Sequence, residues 1–126
     1  MEKIIGIGGV FLRAKDTKAL CKWYDENLGT SFGENSYLSF VESGSNVPAH
    51  TVFSFFKEDT DYFNPSSKQF MINFRVTNLE TMLAQLHANG VQVMEKTETY
   101  GYGKFGWCID PEGNKIELWE PIDKKK

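Results

Sequence analysis

The chain contains an internal repeat, and this feature constrains its fold more than any other. Matching residues stand 62 positions apart early in each half and 63 positions apart later. Examples are Arg13 with Arg75, Asp16 with Asn78, Leu20 with Met82, Phe53 with Ile116 and Phe55 with Leu118. We therefore predict one domain over residues 1–126, made of two modules at about 1–60 and 68–122 and ending in a basic tail at 123–126.

Each module has the pattern of a strand, a helix and further strands. In the first module, residues 4–12 form an apolar run that reads as a strand, and Asp16 is placed as a helix N-cap. Apolar residues then follow at helical spacing until Gly29, which predicts the helix end. Strand patterns at 37–41 and 51–56 complete this half.

The second module repeats this order. A strand is predicted at 70–76, an N-cap at Asn78, and strands at 91–94, 104–109 and 115–120. We interpret each half as β-α-β-β-β, an α+β architecture in which a helix covers one face of each sheet. The opposite faces are expected to lie across a cleft, and the loop at 57–68 is expected to pack because it carries adjacent aromatic residues.

Composition excludes several function classes. The net charge of −3 and the pI of about 5.4 argue against nucleic acid as the main partner. The sequence has no apolar stretch of signal-peptide or membrane-span length, which predicts a cytoplasmic protein without a membrane partner. Cys21 and Cys108 lack metal-site spacing and are interpreted as buried free thiols.

One motif carries a family resemblance. Residues 105–121 contain an Asp-Pro-Glu-Gly-Asn turn at 110–114, followed by Ile116, Glu117 and Leu118. With the opening at 8–29, this run resembles the glyoxalase / bleomycin-resistance / extradiol-dioxygenase superfamily, also called vicinal oxygen chelate proteins. The resemblance covers nearly the whole chain. It implies two βαβββ modules that form a curved, barrel-like mixed sheet around a cavity, and a homodimer.

The resemblance also implies where a metal would be held. Metal enzymes of the superfamily place four ligands in the cavity, and these positions correspond here to Gly9, Ser54, Met71 and Glu117. Divalent metals need several nitrogen or oxygen donors that converge at about 2.0–2.6 Å. Only Glu117 is a competent ligand of this kind, so we expect no divalent metal and no other cofactor.

Strand alternation from these four positions predicts the cavity lining. The expected ligand-binding residues are Phe11, Arg13, Ser54, Phe56, Asn73, Arg75, Trp107, Trp119 and Tyr102. The arginines have two open interpretations: they bind an anionic group of the ligand, or they form structural ion pairs with Glu117 or Asp16. The segment at 100–103, where Tyr and Gly alternate, is interpreted either as a lid over the cavity or as a plain loop.

Three functions remain open at this point. The first is a metal-free protein that binds a small aromatic or anionic organic molecule. The alternative is a glyoxalase-type lyase or isomerase, similar to lactoylglutathione lyase, in which Glu117 is the general base and an arginine holds the oxyanion. A third hypothesis is a structural or regulatory dimer whose own side chains fill the cavity.

Overall fold

The computed structural model describes residues 1–42 and 49–122. The strands are β1 (Ile4–Ala14), β2 (Tyr37–Glu42), β3 (Ala49–Lys57), β4 (Phe70–Val76), β5 (Gln92–Val93), β6 (Glu98–Tyr100), β7 (Gly103–Ile109) and β8 (Lys115–Pro121). The helices are α1 (Thr17–Leu28) and α2 (Leu79–Ala88). The predicted α+β class is confirmed, and the basic tail at 123–126 lies outside the described residues.

The strands form one curved, unclosed mixed sheet in the order β2-β3-β1-β4-β8-β7-β5, with β6 on β7. The two halves meet where β1 pairs antiparallel with β4, so they share a sheet instead of forming two separate ones. The repeat is visible in the register. Phe11 pairs with Ser54 across β1 and β3, and Asn73 pairs with Glu117 across β4 and β8, which preserves the offsets of 62 and 63.

The helix ends follow from their capping residues. Oδ1 of Asp16 accepts a hydrogen bond from the amide of Ala19 at 3.0 Å, and Oδ1 of Asn78 accepts one from Thr81 at the same distance. Gly29 ends α1 in the left-handed conformation at φ 68°, which glycine adopts without steric cost. All three predicted helix signals are confirmed.

The strand order of the first half differs from the expected β-α-β-β-β. Between α1 and β2, the described chain has no strand, because the Asp25 carboxylate accepts from the amides of Phe32 and Gly33 and holds the segment in a turn. The first half is therefore β-α-β-β where it is described. The segment at 100–103 contains the turn of the β6–β7 hairpin, in which Tyr100 pairs with Gly103.

Apolar side chains form three clusters. One lies under α1 around Phe32 and Phe55, and another lies under α2 around Val76 and Leu118. The third is on the opposite face of the sheet and consists of Phe11, Phe63, Met71 and Trp107. Phe63 is fully buried, which confirms that the loop after β3 packs. This third cluster forms the base of the cavity described below.

No helix in the described part of the chain is long and apolar enough to span a membrane. Both cysteines are free and buried, as predicted. Burial raises the pKa of the Cys108 thiol to about 11, so this thiol stays protonated and inert at neutral pH.

Candidate functional site

A cavity of about 600 Å³ opens on the face of the sheet opposite the helices. This volume is typical of pockets that hold a small organic molecule. Both halves of the chain contribute to its wall. The aromatic side chains that line its inner part are Phe11, Tyr62, Phe105 and Trp119. Phe105 and Trp119 lie nearly parallel, with ring centroids 5.9 Å apart and planes 8° apart, and so stack on each other as an offset pair.

The mouth of the cavity carries tyrosines and a carboxylate. Tyr100 and Tyr102 stack at 5.4 Å with planes 9° apart, and Tyr37 lies on the same rim. Each of these tyrosines is about half exposed, so each presents ring surface both to solvent and to the cavity. Glu98 lines the rim as well and is hydrogen-bonded to Tyr100, whose pKa rises because of that bond.

The polar end of the cavity is built around Glu117 on β8, which is 2% exposed. Its Oε1 accepts a hydrogen bond from Nδ2 of Asn73 at 2.6 Å. Its Oε2 accepts from the hydroxyl of Tyr62 and from Nε1 of Trp107, the latter at 2.9 Å. The three donors lie on β4, on the loop after β3 and on β7. Together they hold the carboxylate of Glu117 in place without an arginine.

Burial and hydrogen bonding oppose each other at Glu117. Burial disfavours the carboxylate and raises the pKa of Glu117, while its three donors and the nearby Lys115 ammonium lower it by less. The same neighbourhood raises the pKa of Tyr62, through burial first and then the adjacent carboxylate. The pKa of Lys115 is lowered, mainly by burial. The site thus contains a carboxyl group that holds its proton more readily than an exposed one.

Asn73 brings one unsatisfied acceptor to the site. Its Nδ2 is committed to Glu117, and its Oδ1 is buried without a hydrogen-bond partner among the described residues. This oxygen lies against Gly8, where an added Cβ would be only 2.2 Å from it. Buried polar atoms in native proteins are nearly always paired, and this oxygen, which belongs to a residue of the cavity wall, is an exception within the described part of the chain.

Trp119 is held between two glycines. A Cβ at Gly8 would lie 2.8 Å from Cε3 of the indole, and a Cβ at Gly103 would lie 2.2 Å from its Nε1. Nε1 donates to the carbonyl of Tyr102 at 3.4 Å. The close approach of two main chains fixes the indole in place, and this explains why glycine stands at both positions.

The loop after β3 is fastened by two cations. Arg13 donates to the carbonyls of Glu58 and Ser66 at 3.0 and 3.3 Å, and its guanidinium lies 4.9 Å from the centre of the Phe63 ring. Lys115 donates to the carbonyl of Tyr62 at 2.7 Å. These contacts hold the Tyr62 hydroxyl over Glu117.

Four of the predicted lining residues and the predicted general base lie at the cavity. They are Phe11, Asn73, Tyr102, Trp119 and Glu117. Phe56 stacks behind Tyr62 at 5.3 Å, and Trp107 reaches the site through its bond to Glu117. Ser54 bonds the carbonyl of Ser36 at 3.5 Å.

The predicted arginines are engaged elsewhere. Nη1 of Arg75 donates to the carbonyls of Ile7 and His50 at 2.6 and 2.8 Å, and Arg13 donates to carbonyls of the loop. Neither lines the cavity, and within residues 1–42 and 49–122 neither has a carboxylate partner. The two arginines therefore match neither interpretation considered from the sequence.

The four family metal positions do not fit a metal ion. Met71 is fully buried in the apolar cluster, Ser54 is turned to a carbonyl, and Gly9 has no side chain. Glu117 already accepts three hydrogen bonds. No group of three or more His, Cys, Asp or Glu side chains converges in the described ranges.

Sequence reasoning missed seven residues of the wall. They are Gly8, Tyr37, Val52, Tyr62, Glu98, Tyr100 and Phe105. Val52 lies on the same face of β3 as Ser54, and strand alternation from Ser54 therefore identifies its side. Gly8 was missed because the pairing of β1 with β4 shifts between Ile7 and Gly9, which breaks the strict alternation.

Comparison with known proteins gives a family and a fold. A family model described as Glyoxalase/Bleomycin resistance protein/Dioxygenase superfamily matches residues 6–118. No curated protein matches the chain.

Among solved structures, methylmalonyl-CoA epimerase from Streptomyces coelicolor, in complex with 2-nitronate-propionyl-CoA, is similar with a TM-score of 0.65 and 14% identity, covering 93% of this chain and 97% of that chain. The epimerase from Mycobacterium tuberculosis has a TM-score of 0.59 and 19% identity over 96% of this chain and 91% of its own. A superfamily member from Vibrio splendidus 12B01 has a TM-score of 0.57 and 11% identity over 94% and 98%. At these identities the likeness concerns the fold alone.

Proposed function

Because the chain belongs to the Glyoxalase/Bleomycin resistance protein/Dioxygenase superfamily, whose fold encloses a cavity, we propose that this protein binds a small, flat aromatic molecule without a bound metal. The observation that carries the proposal is the stacked pair of Phe105 and Trp119, which with Phe11 and Tyr62 lines a cavity of about 600 Å³. Aromatic side chains favour stacking with another ring, and the burial of that ring adds hydrophobic stabilisation.

The charges around the cavity argue against an anionic ligand. Glu98 and Glu117 are the ionisable carboxylates in the wall, and among the described residues no lysine or arginine lines it. An anion entering this space would lose its hydration and meet like charge. The aromatic part of the sequence hypothesis is therefore supported by the lining, and the anionic part is not.

The proposal is tested with 2-methylquinoxaline, a flat bicyclic probe, in the presence of a chelator. We expect saturating probe to raise the Tm by on the order of 5 °C and to quench tryptophan fluorescence. Trp119→Leu should abolish both effects. Trp23→Leu is the matched control, because Trp23 is about half exposed on α1 and away from the cavity. If the probe produces no shift, or if both variants behave alike, the proposal fails.

A second function is favoured by one observation, the raised pKa of Glu117 at the cavity end. Such a carboxyl group is suited to move a proton on a carbon beside a carbonyl, as in a glyoxalase-type lyase or isomerase. The hydrogen bonds around Glu117 argue against this lyase or isomerase function. Tyr62, Asn73 and Trp107 all donate to the carboxylate, so none of these three donors is available to stabilise an oxyanion. Chelator-resistant lactoylglutathione lyase activity that disappears in Glu117→Gln would establish this alternative.

We also propose that the protein forms a homodimer. Apolar side chains are exposed on β1, at Ile5 and Ile7, and on β2, at Phe40 and Val41, and these two strands flank β3 in the sheet. Exposed apolar side chains on strands of one sheet edge favour an interface between two copies of the chain.

A further inference from the structure

We infer that the ligand carries hydrogen-bond donors on its ring edge, as an amino-substituted heteroaromatic does, and that it presents them to Asn73 and Glu117. This inference deepens the proposed function and rests on it. It depends on a different observation, which is the imbalance between donors and acceptors at the polar end of the cavity.

The donors at this end are all in use. Nδ2 of Asn73, the hydroxyl of Tyr62 and Nε1 of Trp107 donate to Glu117. The indole of Trp119 donates to a carbonyl of the hairpin. A ligand that brings only acceptors to this end finds no partner among these groups.

Acceptors, in contrast, are left over. Within residues 1–42 and 49–122, Oδ1 of Asn73 has no hydrogen-bond partner although the residue is only 2% exposed. A carboxylate offers about four acceptor positions, of which Glu117 uses three. The two side chains are adjacent, since Nδ2 of Asn73 lies 2.6 Å from Oε1 of Glu117. Two neighbouring acceptors match a group with two N–H donors, such as a ring amino group.

The orphaned oxygen is buried against Gly8, the residue of the wall that has no side chain. A ligand N–H reaches this oxygen when the Gly8 main chain moves aside, and it then supplies the hydrogen bond that the described residues do not. The same glycine packs on Trp119. The residues that accept from the donor edge of the ligand are therefore next to the indole that its ring would contact.

The test compares probes of one shape. 2-Aminoquinoxaline and 2-methylquinoxaline are uncharged at neutral pH and nearly isosteric, but only the first has N–H donors. We expect calorimetry on the wild-type protein to give about tenfold tighter binding for the amino probe. 2-(Dimethylamino)quinoxaline, which keeps the nitrogen and lacks the donors, should bind no better than the methyl probe. Quinoxaline-2-carboxylate should bind most weakly.

Two variants locate the effect. Asn73→Leu should bring the ratio of amino to methyl affinity close to one. Glu117→Gln keeps the packing, and its amide can donate to Oδ1 of Asn73 itself, so the ratio should fall here too. Ser39→Ala, an exposed change on β2, is the control that keeps the ratio. If Asn73→Leu does not fold, the probe series on the wild-type protein and the affinity ratio of Glu117→Gln still test the donor inference.

The outcomes separate the two proposals. If the amino and methyl probes bind equally, the donor inference is overturned and aromatic binding stands. If the carboxylate or dimethylamino probe binds as tightly as the amino probe, the donor inference is also overturned. If no quinoxaline binds, the proposed function itself fails and the inference falls with it.

Discussion

The hydroxyl of Tyr62 donates to Oε2 of Glu117, and the two residues come from the loop between the two halves and from a strand of the second half. Tyr62→Phe removes this donor without changing the ring that packs on Phe56. We expect a loss of about 1.5–3 kcal/mol in the free energy of unfolding, because a buried acceptor with charge loses a partner. Urea denaturation at neutral pH measures it. Phe56→Leu is the comparison, because it keeps the hydroxyl of Tyr62 and removes the ring contacts that Phe56 makes with Tyr62, Phe11 and Phe63.

The free energy of unfolding should depend on pH because of Glu117. Its pKa is raised in the folded protein, so between its ordinary value and the raised value the folded state binds more protons than the unfolded state. The contribution of Glu117 to the free energy of unfolding is favourable at low pH, and it is lost as the pH rises through the pKa of Glu117 in the folded state. We expect the Tm of Glu117→Gln minus that of the wild type to increase from pH 5 to pH 8. A difference that stays constant or decreases over this range contradicts the assignment.

Arg13 is expected to stabilise the loop and not to bind ligand. Arg13→Met removes two hydrogen bonds to carbonyls and the contact with the Phe63 ring, so unfolding should become easier by about 2 kcal/mol. The ratio of affinities for quinoxaline-2-carboxylate and 2-methylquinoxaline should not change. A selective loss of carboxylate binding would instead assign the guanidinium to an anionic ligand.

The proposed dimer predicts a particle of about 29 kDa, twice the 14.4 kDa chain, in size-exclusion chromatography with light scattering. Ile7→Lys places a charge in the exposed apolar part of β1 and should produce a monomer. Leu28→Lys makes the same kind of change on α1 and should leave the dimer intact. A monomeric wild-type protein, or dissociation by Leu28→Lys alone, contradicts this interface.

The fold could be predicted from the sequence because the signals for its elements are local and occur in both halves. Asp16 and Asn78 each cap a helix through one short hydrogen bond, and such a bond depends only on the next few residues. The register offset, seen at Phe11 with Ser54 and again at Asn73 with Glu117, could likewise be read by subtraction.

The site followed only in part, since its geometry depends on distant segments. Alternation placed Asn73 and Glu117 on the cavity face correctly. It could not predict Tyr62, which lies outside any strand, nor Gly8, where the β1 pairing shifts. Alternation also gave no information on the side-chain ends of the two arginines, whose guanidinium groups reach carbonyls away from the cavity.

The paired positions of the two halves hold different chemistry. Where the second half places Asn73 beside Glu117, the first half places Phe11 beside Ser54. Under the proposed function, the pair in the second half recognises the ligand, and Phe11 of the first half shapes the cavity. The equivalent positions of the first half hold no second polar pair that could replace Asn73 and Glu117. Substituting Asn for Phe11 and Glu for Ser54 would give an engineered scaffold a second, symmetry-related polar pair.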